Sequence, residues 1–403
     1  MTEANGEGSL LVRNVGRLFT GAGDVVERAA VAVKSGRVAW HGPEDDLPVG
    51  VLLDGGDEID AGGALVTPGL VDAHTHPVYG GHRFAEIAMR SAGAGYSEIA
   101  AAGGGIAASV QMTRMASFAD LEARVTALLA AFLAAGTTTV EAKTGYHLEE
   151  DGELEAVRLL HRLGRAERGP SVEVTFLAAH AVGPEFAADP DGYIDAVASW
   201  CPAARESGAR HADVFCDAGY FSVDQSRRVL EAAGRAGLIP RIHADELART
   251  GGSELAAQLG CSSADHLLRI TERDAKALAA GGVVATLAPV TALAMGTSPP
   301  VRALQEAGAV IALGSDHNPG TCGTTSMPLV VALAVAELGM SVTDALRAAT
   351  AGGAASLRLP DRGVVASGMR GDLVVWQADH EGAFAWTYGL QPSHVVVDGR
   401  RVA

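Results

Sequence analysis

Four short strand-like runs in this 403-residue chain end on a histidine or an aspartate, and that placement narrows the fold more than any other feature. Gly69-Leu70-Val71 leads through Asp72-Ala73 to His74-Thr75-His76, and Leu238-Ile239-Pro240-Arg241-Ile242 leads to His243. Ser263-Ala264-Asp265 precedes His266, and Val310-Ile311-Ala312-Leu313-Gly314-Ser315 precedes Asp316. Residues two apart on a strand point the same way, so His74 and His76 can reach one ion together. Alone, a His-x-His is as well read as a surface pair. The three further strand ends carry the metal reading.

These runs belong to a longer alternation. Strand-like segments at 69–74, 137–143, 171–179, 212–217, 238–243, 262–266, 283–288 and 310–315 are separated by amphipathic stretches. The clearest stretch opens at Ser117 with Asp120 three residues on, a capping-box pattern. Leu121, Val125, Leu128, Leu129 and Phe132 then recur at helical spacing. Eight strands alternating with helices predict an α/β fold, a (β/α)8 TIM-like barrel. An open doubly wound sheet would spread the ends of strands one, five, six and eight along an edge, whereas a barrel makes them converge.

The two ends of the chain read differently. Ala30-Val31-Ala32-Val33-Lys34 turns at Ser35-Gly36 into Arg37-Val38-Ala39-Trp40, and His394-Val395-Val396-Val397 turns at Asp398-Gly399 into Arg400-Arg401-Val402. Both are hairpin signals. We expect a small β-sandwich domain from residues 1–66 and 362–403, and a catalytic barrel over 67–361.

A net charge of −17 argues against nucleic acid or anionic membrane as a partner. The apolar runs near 128–135 and 329–336 are too short to span a bilayer. Four scattered cysteines without a Cys-x-x-Cys pair suit a reducing compartment and offer no thiolate metal site. The first eight residues are polar and acidic without a signal-peptide core, so a cytoplasmic location is expected. The expected partner is a small-molecule substrate, with a homodimer as the candidate assembly.

Imidazole and carboxylate together suit zinc or iron better than magnesium or calcium, which prefer all-oxygen shells. Three histidines and one aspartate leave room for a water whose pKa the ion lowers. Two-metal versions of such sites need a bridging ligand, often a modified lysine on strand four. Strand four here, Asp213-Val214-Phe215-Cys216-Asp217, has none, so one ion per chain is expected; Lys143 at the end of strand two is the alternative bridge.

Pro68-Gly69-Leu70-Val71-Asp72-Ala73-His74-Thr75-His76, His243-Ala244-Asp245-Glu246, Ser263-Ala264-Asp265-His266 and Ser315-Asp316-His317-Asn318-Pro319-Gly320 resemble the amidohydrolase superfamily. Gly80-Gly81-His82-Arg83, Gly103-Gly104-Gly105-Ile106, Lys143-Thr144-Gly145-Tyr146 and Thr175-Phe176-Leu177-Ala178-Ala179-His180 extend the resemblance, over nearly the whole chain, to its imidazolonepropionase family. That resemblance implies ligation of one zinc or iron ion by His74, His76, His243 and Asp316. It implies hydrolytic opening of the ring of 4-imidazolone-5-propanoate to N-formimidoyl-L-glutamate. Substrate contacts would fall to Arg83, Tyr96, Tyr146, His180, Glu246, Asn318, Gly320 and Thr321.

The residue chemistry agrees. Arg83 can offer a guanidinium fork to a propionate tail, or else form a surface salt bridge. Glu246 is expected to move a proton between water and a ring nitrogen, its alternative being a helix-capping carboxylate. His266 is a candidate base or carbonyl polariser, or a buried histidine donating to Asp265 or backbone. His180 is expected to donate to a developing oxyanion or to stand behind the ligands. Asp316 joins Glu246, His266 and His180 among the catalytic candidates. His147, His161, His211 and His394 are expected to be solvated. Three segments depart from the family pattern: Leu287 to Leu293, His147, and Ala181-Val182-Gly183-Pro184. Alternative readings are an aminohydrolase acting on another heterocycle with the same metal centre, and a barrel that binds without catalysing.

Overall fold

The computed structural model describes residues 9–51, 56–94, 98–99, 102–166 and 168–403. The chain begins with β1 (Leu10–Phe19), antiparallel to β2 (Val25–Lys34), which turns into β3 (Arg37–Pro43). Ser35 and Gly36 in that turn have φ of 51° and 75°. Two successive left-handed residues make the tight turn whose twist matches its strands. β4 (Asp57–Asp60) and β5 (Leu65–Pro68) lie parallel to the first and second halves of β1.

Eight strands then run parallel, each bonded to the next in chain order. They are β6 (Leu70–Asp72), β7 (Thr137–Lys143), β8 (Ser171–Ala179), β9 (His211–Cys216), β10 (Ile239–Ala244), β11 (Ser263–His266), β12 (Val284–Leu287) and β13 (Ile311–Leu313). All residues of β7 and β9 are buried, as expected for parallel strands covered on both faces. The helix Phe118–Ala134 buries Leu121, Val125, Leu129 and Phe132 against this sheet, with Leu128 half-buried beside them. Its expected capping box is one-sided. Ser117 Oγ accepts from Asp120 N at 3.1 Å, but the Asp120 carboxylate takes the Ser117 hydroxyl at 2.7 Å, not the backbone.

The seam between β13 and β6 is closed just beyond the strands. Ala73 N donates to Leu313 O at 3.3 Å, Asp316 N to His74 O at 2.9 Å, and His76 N to His317 O at 2.8 Å. The barrel thus closes through the segments that hold the candidate ligands.

The last strands return to the first sheet. β14 (Leu373–Trp376) pairs with β5, followed by β15 (Pro392–Val397) and β16 (Arg400–Arg401) across the left-handed pair Asp398 and Gly399. The expected small β unit is therefore one eight-stranded bonded sheet. Val31, Val33 and Val38 from one end share an apolar cluster with Leu373, Val375 and Val396 from the other, so the sheet folds over its own core. Trp376 joins it to the barrel. Its Nε1 donates to Thr67 Oγ1 at 2.9 Å, and its ring lies so close to Gly136 that a Cβ there would meet it at 2.7 Å. Among the described residues, no helix is long and apolar enough to cross a membrane. All four cysteines are free and buried.

Candidate metal centre

Beyond β6 the chain stays extended and presents both histidines inward. His74 Nε2 and His76 Nε2 are 3.0 Å apart, and they lie 3.6 and 3.5 Å from Asp316 Oδ1 at the end of β13. His243, in β10, brings its ring centroid within 4.6 Å of that of His74 and 5.4 Å of that of His76. His266, ending β11, lies 4.9 Å from His74 on the same measure. Two overlapping groups could hold a cation, His74–His76–Asp316 and His74–His243–His266, with the donor atoms of each within 4.8 Å of one another. The expected set of His74, His76, His243 and Asp316 spans both. The non-glycine residues His266, Leu267, Asp245 and Asp316 adopt φ between 51° and 73° at these strand ends. Such backbone strain concentrates where function requires a fixed geometry.

Each inner ring is oriented from behind. His74 Nδ1 is 2.7 Å from Asp265 Oδ2, and His243 Nδ1 is 3.1 Å from Asp213 Oδ2. For His74 this hydrogen bond keeps the proton on Nδ1 and leaves the Nε2 lone pair pointing inward, as metal-ligating histidines require. Both ring nitrogens of His243 are buried without a hydrogen-bond partner among the described residues, Asp213 standing behind Nδ1 as a close charge contact. Burial also holds His74 and His76 well below the usual histidine range, so both stay neutral. Burial lifts Asp316 to about 6, against the opposing hydrogen bond from Thr291 Oγ1 at 2.5 Å. Convergent neutral imidazoles, an orphaned Nε2 and a buried carboxylate fit a bound cation.

Beneath the ligands lies a closed charge cluster that the motif reading did not assign. Lys143 Nζ contacts Glu141 Oε1 at 2.9 Å, Asp213 Oδ2 at 2.8 Å and Asp265 Oδ2 at 3.5 Å. Arg241 Nη2 reaches the same Asp265 oxygen at 3.2 Å. All five side chains are fully buried. Lys143, the alternative bridge, is thus engaged by carboxylates on three sides. Charged residues inside otherwise apolar strand runs were the signal available, since such groups are almost never buried unpaired.

Above the candidate ligands is a small pocket of about 40 Å³, open to solvent and lined by Arg83, Tyr146, His180, Glu246, Asn318 and Thr321 with the centre itself. Arg83 Nη1 donates to Ser109 Oγ at 2.9 Å, and its Nε lies 3.3 Å from Glu86 Oε1. Gly320 backs directly onto its guanidinium, where a Cβ would come within 1.6 Å of Nη2. Tyr96 lies outside the described residues.

Three expected roles take a different form. The Asn318 amide is saturated within its loop: Nδ2 donates to Asp316 O and Thr321 Oγ1, both at 2.7 Å, while Oδ1 accepts from Gly320 N and Thr321 N, both at 2.8 Å. It shapes the loop and has no donor left for a ligand. His180 Nδ1 donates to Gly145 O at 3.0 Å, and burial pushes the ring down to about 3. Neutral and protonated on Nδ1, His180 offers Nε2 as an acceptor, not as the oxyanion donor expected. Glu246 does not cap a helix; Asp245 Oδ1 accepts Gly251 N at 3.0 Å ahead of the helix Gly252–Leu259. Glu246 Oε1 instead faces His266 Nδ1 at 3.7 Å, and burial, reinforced by Asp316 and Asp217, lifts its carboxyl well above the usual range.

His147 and His211 are not solvated as expected. His211 opens β9, a strand covered on both faces, and is fully buried. His147 is 5% exposed and stacks on Phe118 at 5.2 Å. Thr291, the buried partner of Asp316, went unrecognised within the departing segment 287–293.

An eight-stranded parallel barrel with histidines and an aspartate converging at one end defines an amidohydrolase-type protein. The pattern describing the Amidohydrolase family matches residues 83–403. A protein named imidazolonepropionase from Anaeromyxobacter dehalogenans (strain 2CP-C) is 44% identical over 93% of this chain and 90% of its own. Another of that name from Myxococcus xanthus (strain DK1622) is 40% identical over 98% and 97%. A triazine hydrolase variant superposes with a TM-score of 0.77 over 98% of this chain and 94% of its own, at 17% identity, and shares the fold alone. The chain belongs to the amidohydrolase family and, within it, to the imidazolonepropionases.

Proposed function

We propose that this protein hydrolyses 4-imidazolone-5-propanoate to N-formimidoyl-L-glutamate, a step of histidine degradation, using one zinc or iron ion held by His74, His76, His243 and Asp316. The observation that carries it is the convergence of these four side chains in a chain 40–44% identical to imidazolonepropionases over nearly its full length. An ion in that position lowers the pKa of water and polarises a carbonyl.

The residues divide the remaining work. Arg83, fixed by Ser109 and Glu86, presents its guanidinium to the propionate tail. Glu246, buried beside Asp316 and His266, moves the proton from the attacking water to the ring nitrogen as the C–N bond breaks. His180, with Nδ1 committed to Gly145 O, accepts a hydrogen bond from a ring N–H. Tyr146, its ring 5.2 Å from that of His180, forms the adjoining wall. Thr321 and the Gly320 backbone border the tail, and the same role is proposed for Tyr96. His266 supports Glu246 through their 3.7 Å approach.

The test is loss of the imidazolone ultraviolet absorbance on incubation with freshly prepared substrate, with ammonia assayed in parallel. Ring opening without ammonia supports the proposal. Ammonia release from another heterocycle, with no imidazolone turnover, would assign the centre to an aminohydrolase.

A further inference from the structure

We propose that Lys143 is a positioning residue for the metal centre, one ammonium tying together the two carboxylates that aim His74 and His243. The argument is one of shared atoms. Lys143 Nζ lies 2.8 Å from Asp213 Oδ2, and that same oxygen lies 3.1 Å from His243 Nδ1. Lys143 Nζ also lies 3.5 Å from Asp265 Oδ2, and that oxygen holds His74 Nδ1 at 2.7 Å. Two histidines from β6 and β10, on different sides of the barrel, are thus set by one cation ending β7.

The charges require this link. Glu141, Asp213 and Asp265 are buried carboxylates, and Lys143 and Arg241 are the cations among them. Arg241 reaches Asp265 and, through Nε at 3.8 Å, Glu141 Oε1, while its Nη1 and Nη2 also donate to Ser356 O at 2.9 Å and Ala73 O at 2.8 Å. Among the described residues, Lys143 alone pairs with both orienting carboxylates. Without it they repel one another in a low-dielectric interior, and each loses the group that fixes its rotamer. A compact ammonium with three donors suits a junction of three carboxylates better than a planar guanidinium.

The proposal rests on His74 and His243 being ligands, so its test carries a separate check of that reading. Lys143→Met combined with Glu141→Gln removes one charge of each sign and leaves the net charge of the cluster unchanged. In the folded double variant, zinc affinity measured against a chromophoric chelator should fall by about 10–100-fold. The visible absorption bands of the cobalt-substituted protein should shift as the rings lose their fixed orientation. A cluster that only supported folding would move neither.

Wild-type zinc affinity and cobalt spectrum in the double variant would overturn the proposal. His243→Ala is measured alongside. If it binds zinc as tightly as wild type, the ligand reading itself fails, and the proposal falls with it. Should the double variant not fold, the wild-type protein decides. It has three lysines, of which Lys34 and Lys276 are exposed. With lysine labelled at Cε, zinc added to the metal-free protein should shift the Lys143 resonance and leave the other two in place. An unmoved Lys143 resonance would refute the link.

Discussion

The roles of His180 and Asn318 are each decided by where a hydrogen sits. Gly145 O takes the Nδ1 proton of His180, and the Asn318 amide, saturated within its loop, has no donor left for a ligand. Glu246 is the opposite case: a carboxyl buried at the pocket with His266 3.7 Å away. Glu246→Gln keeps shape and burial but cannot carry a proton. It should retain metal and melting temperature while turnover falls roughly 10²–10⁴-fold. Retained turnover in steady-state assays would pass the proton-transfer role to His266. If Arg83 holds the propionate tail as proposed, Arg83→Lys should raise KM far more than it lowers kcat, because lysine keeps the charge and loses the paired donors. An unchanged KM would place the tail elsewhere. The convergence of the four proposed ligands was legible because each ends a strand-like run, where side-chain direction follows from period alone. Thr291 was not: its hydroxyl reaches Asp316 from another strand's loop, a pairing no local pattern encodes.

At the scale of elements, buried carboxylates hold the loops that carry the site. Asp217 accepts Glu246 N at 2.7 Å, Leu247 N at 2.8 Å and Ala248 N at 3.0 Å, which sets the turn after β10. Asp274 closes the next connection. It accepts Thr271 N and Thr271 Oγ1, both at 2.8 Å, at the start of the helix Glu272–Ala280, and binds Arg249 through Nε at 2.8 Å and Nη2 at 2.7 Å. The hydrogen bonds from Arg249 and Thr271 outweigh burial and draw its carboxyl down to about 2. The unfolded chain titrates near 3.9, so the contribution is complete above about pH 4 and lost as pH falls towards 2. Asp274→Asn should therefore cost about 1–3 kcal/mol by urea denaturation at pH 7. The gap should narrow as the pH is lowered towards 2; a constant gap would show that the charge is not what matters. Strand positions were legible to within a residue or two, since each apolar run had to be covered on both faces. The one-sided cap at Ser117 was not, because an aspartate can turn to the serine hydroxyl as readily as to the backbone.

For the whole molecule, the barrel and its chemistry share a seam. β6 and β13 form no ladder, and the bonds that close the circle come from Ala73, His76 and Asp316, residues within or beside the ligand set. Bound metal held by His74, His76 and Asp316 would join the first strand to the last, and so would help close the barrel as well as supply an acidic water. The alternation of strands and helices made the barrel legible, but not where it closes, because that bonding lies past the strands proper. Chelation should lower the melting temperature; a ligand at a thousand times its Kd stabilises by roughly 4 kcal/mol. The loss should also be local. Hydrogen exchange compared between metal-loaded and metal-free protein should show the amides of Ala73, His76 and Asp316 losing far more protection than Val140 inside the fully buried β7. Uniform loss across the barrel would mean that metal stabilises only the global fold. No loss at the seam would mean that the backbone bonds close the barrel unaided, leaving the ion a purely chemical part.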